Sequence, residues 1–326
     1  MLMYCRAKGL KIIFAGTGEF TLYHLTNLLS QHQIVGILTY PDANMTGKIN
    51  QLVLSRIKEF ALKHKISLFQ IKSEDFYQIN FYKKLVALKS DLMVVIAYGI
   101  KLPSSIINIP KLGCINVHSS LLPRWRGAAP IPRSIIAGDK ITGVTTIQIN
   151  SGIDTGDILH KIPCAIEHID TSASLSQKLS KLGSISMLIT LQQFLHGTKD
   201  PQAQSEHLAT YAKKILKKEA QLNWKLSAIE LERYIRAFNP WPICYFFIHG
   251  KYIKVWKASV LQSNKNSLKT YQPGEIIQAN KKGIQIATGQ DFLNLEQLQL
   301  AGKNIMTVND FLNSRQKWFT PGLILD

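Results

Sequence analysis

Cysteine is scarce in this sequence, and its few copies are widely spaced. Zinc sites and disulfide frameworks both need paired or clustered cysteines, and no CxxC pair occurs here. We therefore expect free thiols in a reducing compartment. The four cysteines are Cys5, Cys114, Cys164 and Cys244.

Long apolar runs are also missing. No stretch approaches the roughly 18 to 20 consecutive apolar residues of a transmembrane helix. The first ten residues, MLMYCRAKGL, lack the apolar core and the cleavage site of a signal peptide. We therefore expect no membrane partner, and we predict that the protein stays in the cytoplasm.

Acidic residues are in short supply. The 326 residues include 39 Lys+Arg against 21 Asp+Glu, which gives a formal net charge of +18. Such an excess creates a long-range field that attracts polyanions such as nucleic acid. A general enrichment in lysine would give the same total, so the charge suggests a partner without establishing one.

A third glycine is absent from the turn after the first apolar run. The segment GTGEFT supplies Gly16 and Gly18, but Thr21 stands where the dinucleotide-binding fingerprint has its third glycine. We therefore interpret the two glycines as turn residues. Because the third glycine is missing, a nicotinamide oxidoreductase is the least favoured function for this sequence.

What the chain does contain is an alternation of strand-like and helical patterns, followed by a change near residue 197. Strands that alternate with helices predict right-handed βαβ units and a mainly parallel sheet. Beyond a polar segment, short strands with turn signals predict a small barrel, and Ser227 with Glu230 forms a capping box at the start of one helix. We therefore divide the chain into a domain over 1–196, a linker over 197–215 and a second domain over 216–326. The strand-like runs of the first domain are LKIIFAG, IVGILTY, SDLMVVIAYG, GCINVH and TGVTTIQIN.

Two polar residues interrupt the apolar run CINVH just before a proline-bounded loop. Residues two apart in a strand share a face, so Asn116 and His118 should project together, opposite Ile115 and Val117. Ligands of open parallel sheets bind beyond the carboxyl ends of the strands, where this pair should lie. The alternative is a buried pair that only satisfies backbone groups.

A carboxylate flanked by glycines follows a later strand. Asp154 lies between Gly152 and Gly156, 36 residues after His118. Glycines permit unusual backbone angles and the close approach of a ligand, and the position after a strand predicts the carboxyl edge of the sheet. A plain turn aspartate is the alternative. Together, an amide, an imidazole and a carboxylate predict attack on a carbonyl without an enzyme nucleophile, because they can hold an oxyanion and move a proton.

The segments NVHSSLLP and GIDTGDIL resemble the formyltransferase family that uses 10-formyltetrahydrofolate. Within it, IIFAGT, VVIAYG, LLPRWRGAAPI, IRAFNPWP and LNSRQKWF look like the methionyl-tRNA formyltransferases, from about residue 11 to residue 319. The resemblance implies an α/β fold, with a Rossmann-like catalytic domain followed by a smaller OB-like β-barrel domain. It also implies a monomer without a metal, which transfers formyl from 10-formyltetrahydrofolate to the methionine α-amine of initiator methionyl-tRNA for translation initiation.

The resemblance also assigns roles to residues. It implies that Asn116, His118 and Asp154 are catalytic. Ser119 stands where many relatives have glycine, and the usually basic loop after the second strand reads PDANMTGKINQ here. The implied folate-binding loop consists of Ser120, Leu121, Leu122 and Pro123.

Basic residues that could compensate for this loop lie mostly in the second domain. Residues 207–326 hold 17 Lys+Arg against 8 Asp+Glu, and Tyr252, Lys254 and Trp256 should share one strand face that suits RNA. Solvated lysines, a core Trp256 and structural pairing of the arginines are the alternatives. A formyltransferase acting on an amino sugar nucleotide and a non-catalytic RNA-binding protein stay open as functions. The predicted tRNA contacts are Lys48, Arg124, Arg126, Lys213, Lys214, Lys251, Lys254 and Lys257.

Overall fold

The computed structural model describes residues 9–41, 48–263 and 270–325, and its backbone divides into two compact units. The first unit contains the described residues up to Pro130, Ile141–Ala165 and Ser176–Lys213. The second unit contains Ile131–Lys140, Ile166–Leu175 and the described residues from Lys214 onward. The division of the sequence after residues 196 and 215 stays a prediction.

The first unit is built on one sheet of seven strands. Its strands are β1 (Lys11–Gly16), β2 (Gln33–Thr39), β3 (Leu68–Gln70), β4 (Leu92–Ile96), β5 (Cys114–His118), β6 (Ile141–Gln148) and β7 (Ile158–Ala165). They lie in the order β3-β2-β1-β4-β5-β6-β7. The first five are parallel, whereas β6 and β7 are each antiparallel to the preceding strand.

Helices bury both faces of this sheet. The α-helices of the described residues are α1 (Glu19–Leu29), α2 (Lys48–Lys63), α3 (Ile79–Ala87), α4 (Ser104–Ile107), α5 (Pro130–Ala137), α6 (Ser172–His196), α7 (Ala228–Ala237) and α8 (Val308–Leu312). One apolar cluster joins β1, β2, β4 and β5 to α1, α2 and α6, and another joins the opposite face to α3 and α4. Along β1, Ile12 and Phe14 belong to the first cluster and Ile13 and Ala15 to the second. A strand buried on both faces is apolar at every position, which explains the continuous apolar runs of the sequence.

The second unit contains antiparallel strands. They are β8 (Cys244–Ile248), β9 (Lys251–Leu261), β10 (Ile276–Asn280), β11 (Gly283–Ala287), β12 (Phe292–Leu300) and β13 (Met306–Thr307). Five lie in the order β10-β11-β12-β9-β8, and β13 pairs with β12. Ser227 and Glu230 form the predicted capping box at the start of α7. The predicted fold class, a Rossmann-like domain with a mainly parallel sheet followed by a smaller β domain, is confirmed.

The described cysteines carry free thiols, as predicted. Cys114, Cys164 and Cys244 form no disulfide, and Cys5 lies outside the described residues. Burial raises the pKa of Cys114 to about 12, so its thiol is not ionised near neutral pH. In the described part of the chain, no helix has both the length and the apolar character needed to cross a membrane.

Candidate active site

Strand β5 ends in the predicted polar pair. Ile115 and Val117 belong to the first apolar cluster, and Asn116 and His118 alternate with them along the strand. His118 is buried and Asn116 is half-buried. Because side chains alternate with a period of two, both polar groups lie on one face of the strand, as the sequence predicted.

Strand β6 precedes Asp154 and runs antiparallel to β5, whereas the prediction for Asp154 requires a parallel strand. It is antiparallel to β5, with Thr145 opposite His118 and Gln148 opposite Ile115, so its carboxyl end lies beside the beginning of β5. The prediction assumed that the strand before Asp154 ends at the carboxyl edge of the sheet. This assumption is wrong, because β6 ends at the opposite edge. The loop 149–157 instead brings Asp154 to the side of β5.

The glycines of this loop are required for a reason other than unusual backbone angles. A Cβ at Gly156 would lie 1.6 Å from the carbonyl oxygen of Gln148, and a Cβ at Gly152 would lie 2.0 Å from Oγ1 of Thr155. The left-handed conformation falls on Asp154 itself, whose φ is 53°. A non-glycine residue adopts this region rarely, so neighbouring contacts must hold Asp154 in it.

The carboxylate of Asp154 connects the polar pair. Its Oδ1 accepts a hydrogen bond from Nδ2 of Asn116 at 3.2 Å, and its Oδ2 accepts one from the backbone N–H of Gly127 at 2.9 Å. The same Oδ2 lies 3.5 Å from Nδ1 of His118. The structure therefore brings together the three residues that the sequence singled out, although they span 38 positions of the chain.

Both ring nitrogens of His118 face oxygen acceptors. Nε2 lies 2.8 Å from the carbonyl oxygen of Trp125. A carbonyl can only accept, so this nitrogen carries a hydrogen and donates it. Nδ1 faces the Asp154 carboxylate, and a ring protonated on both nitrogens satisfies both neighbours. The arrangement can donate hydrogen bonds to an oxygen that gains negative charge, and it can pass a proton to the carboxylate side.

The predicted folate-binding loop follows β5 and is fixed by hydrogen bonds. Ser120 is buried, and its hydroxyl donates to the carbonyl oxygen of Arg124 at 2.6 Å. Oγ1 of Thr145 donates to the carbonyl oxygen of Ser120 and accepts from the N–H of Leu122. Leu122 is buried against Ile147 and Ile158. Folate binding by Ser120, Leu121, Leu122 and Pro123 stays a prediction.

The two arginines after this loop have different environments. Arg126 is 1% exposed, and its guanidinium makes two hydrogen bonds of 2.9 Å to Glu206 and one of 3.0 Å to Gln204. This corrects the predicted tRNA contact of Arg126, because its guanidinium is buried and each of its three nitrogens already donates to Glu206 or Gln204. Arg124 is exposed and stacks on the ring of Trp125, with its Cζ 4.5 Å from the ring centroid.

The predicted basic contacts of the second half of the chain are mostly exposed. Lys213, Lys214 and Lys251 are exposed and Lys254 is half-buried. Lys257 is exposed and pairs with Glu296 at 2.9 Å. Their role in tRNA binding stays a prediction. Lys48 begins α2, its side chain is outside the part that the structure describes, and so are residues 42–47 of the preceding loop.

The segment that the sequence suggested as a linker contributes to the site. We name residues 202–212 the strap. Gln204 and Glu206 of the strap engage Arg126, whose guanidinium holds the pKa of Glu206 below its usual value through their hydrogen bonds. Sequence reasoning missed both residues, because their partners lie 78 and 80 positions away and no local periodicity marks them.

Within the described residues, no group of three or more His, Cys, Asp or Glu side chains is placed to hold a metal ion. The site consists of the Asn116, His118 and Asp154 side chains, the loop after β5, and the Gln204 and Glu206 side chains of the strap. These groups suit a reaction in which negative charge develops on a single oxygen.

Comparison with protein families finds two matches. Residues 10–191 match the family described as formyl transferase, and residues 214–316 match the one described as formyl transferase, C-terminal domain. The first match alone spans more than half of the chain, and it contains Asn116, His118 and Asp154.

Solved structures of several proteins share this fold. A HypX variant from Aquifex aeolicus has a TM-score of 0.64 at 15% identity, and the match covers 95% of this chain and 50% of that one. The sugar 3N-formyl transferase WlaRD, solved with dTDP and 5-N-formyl-THF, has a TM-score of 0.65 at 19% identity, covering 90% and 99%. An N-formyltransferase from Helicobacter canadensis, solved with folinic acid and dTDP-3-aminofucose, has a TM-score of 0.64 at 17% identity, covering 88% and 99%. This chain thus spans about half the length of the HypX chain, and identities this low indicate a shared fold only.

Proposed function

We propose that this chain, which belongs to the formyl transferase family, transfers the formyl group of 10-formyltetrahydrofolate to the α-amine of methionine on initiator methionyl-tRNA. The observation that carries the proposal is the cluster at the end of β5. There the Asp154 carboxylate lies 3.2 Å from the Asn116 amide and 3.5 Å from the His118 ring. We propose that these three residues are catalytic and that Ser120, Leu121, Leu122 and Pro123 bind the folate.

In the proposed reaction, the free amine of methionine attacks the formyl carbon. A carbon–nitrogen bond forms to the methionine, and the bond from the formyl carbon to N10 of the folate breaks. The formyl oxygen carries negative charge in between, and it accepts hydrogen bonds from the second amide hydrogen of Asn116 and from Nε2–H of His118, which exchanges the carbonyl oxygen of Trp125 for the formyl oxygen. The attacking amine loses a proton and N10 gains one, and His118 with Asp154 carries this exchange.

The proposed acceptor is supported by an aromatic and basic face in the second unit. Tyr252, Lys254 and Trp256 lie on the same side of β9, because Ile253 and Val255 between them are buried. The rings of Tyr245 and Tyr252 stack with centroids 4.4 Å apart. Aromatic faces next to lysines suit RNA bases and phosphates, and the excess of basic over acidic residues after residue 206 favours such a polyanion.

A second acceptor deserves a test because of one comparison. The Helicobacter canadensis enzyme, which matches over 99% of its length, was solved with a dTDP-linked amino sugar. An amine on a sugar nucleotide could use the same three side chains, but it would have no need of a basic second unit.

The two acceptors can be separated by one assay. We would offer labelled 10-formyltetrahydrofolate to the purified protein with methionyl-initiator tRNA or with dTDP-3-aminofucose. We expect kcat/KM to be at least about 100-fold higher for the tRNA, which corresponds to the differential transition-state binding of a specific substrate. Efficient formylation of the sugar nucleotide without formylation of the tRNA would show that the proposed acceptor is wrong. Uncharged tRNA, which lacks the amine, serves as the blank.

Binding of methionyl-tRNA should depend strongly on salt, because phosphate contacts release counterions. Replacing Lys254 by Met should weaken binding about 3- to 10-fold and lower the slope of log Kd against log salt by about 1. Lys83→Met, which removes an exposed lysine of α3, is the matched control and should leave the slope unchanged. A slope near zero for the unmodified protein would argue against an interface dominated by the phosphate backbone.

A further inference from the structure

The strap is paired by its backbone to both loops of the candidate site. At one end, Gln202 exchanges two backbone hydrogen bonds of 2.8 and 2.9 Å with Ile158, directly after the Asp154 loop. At the other end, the N–H of Arg126 donates to Thr210 at 2.8 Å, and the N–H of Ala212 donates to Arg126 at 2.7 Å. The strap thus connects the loop after β5 with the loop that carries Asp154.

Between these ends, the side chain of Gln204 makes three hydrogen bonds. Its Nε2 donates to the carbonyl oxygens of Asp154 at 2.8 Å and Gly156 at 2.7 Å, and its Oε1 accepts from Nε of Arg126 at 3.0 Å. The partners fix the orientation of the amide, because carbonyls only accept and the guanidinium only donates. Both N–H groups of the amide are therefore used.

Arg126 connects Gln204 to the loop after β5. It is buried, and its bidentate pair with Glu206 fixes the plane of its guanidinium. Its two chain neighbours touch the candidate catalytic residues directly. The carbonyl oxygen of Trp125 faces Nε2 of His118, and the N–H of Gly127 donates to Oδ2 of Asp154.

We propose that Gln204 is a positioning residue, which holds Asp154 in its left-handed conformation so that the carboxylate faces Asn116 and His118. The carboxylate has its own partners, but the peptide group that follows Asp154 is held by the Gln204 amide. Without this amide, the backbone of Asp154 has one restraint fewer on its φ of 53°. Its carboxylate can then rotate away from His118. The inference rests on the proposed function, because it assigns Gln204 a role through Asp154.

Gln204→Met tests the proposal, because methionine has nearly the same length and no hydrogen-bonding amide. We expect kcat to fall about 10- to 100-fold, as a displacement of about 1 Å at a reacting group does, with KM for the folate donor changed less than about 3-fold. Gln202→Met is the matched control, since this exposed side chain lies in the same strap and pairs through its backbone only. A kcat within twofold of the unmodified protein, or a loss that appears only in KM, would overturn the proposal.

Gln204→Glu adds a signature that a general loss of stability would not give. Ionised, the carboxylate offers no hydrogen to the two carbonyls; once protonated, it donates one hydrogen bond. The ratio of its kcat to that of the unmodified protein should therefore rise as pH falls from about 8 to about 5, toward the ordinary glutamate pKa of about 4.3. The ratio for Gln204→Met should stay flat. Parallel profiles for the two variants would count against the role of the amide.

A structure determination separates this proposal from the proposed function, because it needs no substrate. In Gln204→Met we expect Asp154 to leave its positive φ and its Oδ2 to move at least about 1 Å farther from Nδ1 of His118. An unchanged Asp154 would overturn the proposal even if formylation were weak. Inactivity of both the unmodified protein and Gln202→Met would instead indicate the wrong reaction. If Gln204→Met does not fold, Glu206→Gln loosens Arg126 from the exposed side, and we expect a 2- to 10-fold lower kcat with KM unchanged.

Discussion

Replacement of His118 by alanine is expected to lower the rate of formyl transfer about 10²- to 10⁴-fold, leaving trace activity. The ring is the group of the site that can both donate to the formyl oxygen and exchange a proton near neutral pH, and a positioned acid–base group contributes a factor of this size. Single-turnover formylation of methionyl-tRNA at saturating folate donor measures the effect on the chemical step.

The control for this variant is His168→Ala, which removes an exposed imidazole outside the site and should keep full activity. Because His118 is buried, the fold of the variant must be checked by its thermal unfolding and by its binding of the folate donor. Near-normal formylation by a well-folded His118→Ala protein would refute the catalytic assignment, whichever acceptor the enzyme uses.

Replacement of Asp154 by asparagine should reduce kcat about 10²- to 10³-fold, the cost of losing one preorganised group that stabilises developing charge. Asparagine tolerates the left-handed conformation and keeps one oxygen for the N–H of Gly127. It removes the charge that faces Nδ1 of His118 and leaves the Asn116 amide with a neutral acceptor or none. The change therefore tests the carboxylate with little change of shape.

Asp157→Asn is the matched control, since this exposed carboxylate lies in the same loop and should be dispensable. We also expect the loss in the double variant His118→Ala, Asp154→Asn to be close to that of His118→Ala alone, because groups that act as a unit are not additive. Fully additive losses would show that Asp154 acts independently of His118, contrary to the proposed mechanism.

Much of the site could be predicted from local patterns of the sequence. The alternation of Asn116 and His118 with Ile115 and Val117 fixed their common face, because a strand has a period of two. Glycines on both sides of Asp154 predicted unusual backbone angles and the close approach of a ligand. In the structure they permit a close approach to Gln148 and Thr155, and the positive φ falls on Asp154.

Other features could not be predicted, because they depend on partners far along the chain. The connection 119–140 between β5 and β6 is long enough for a parallel crossover, yet β6 is antiparallel, and no residue pattern encodes that choice. The short β3 and the partly exposed β7 were not anticipated. Gln204 looked like part of a polar linker because its three hydrogen-bond partners are invisible to any local window.

The position of the strap along the chain has a consequence for synthesis and for dissection of the protein. A ribosome completes Asp154 some fifty residues before it reaches Gln204, so a nascent chain carries all three candidate catalytic residues before the segment that tethers them exists. A fragment ending at residue 196 would have the same incomplete site. A truncated version intended to retain activity should therefore extend at least to Lys213, where the first compact unit ends.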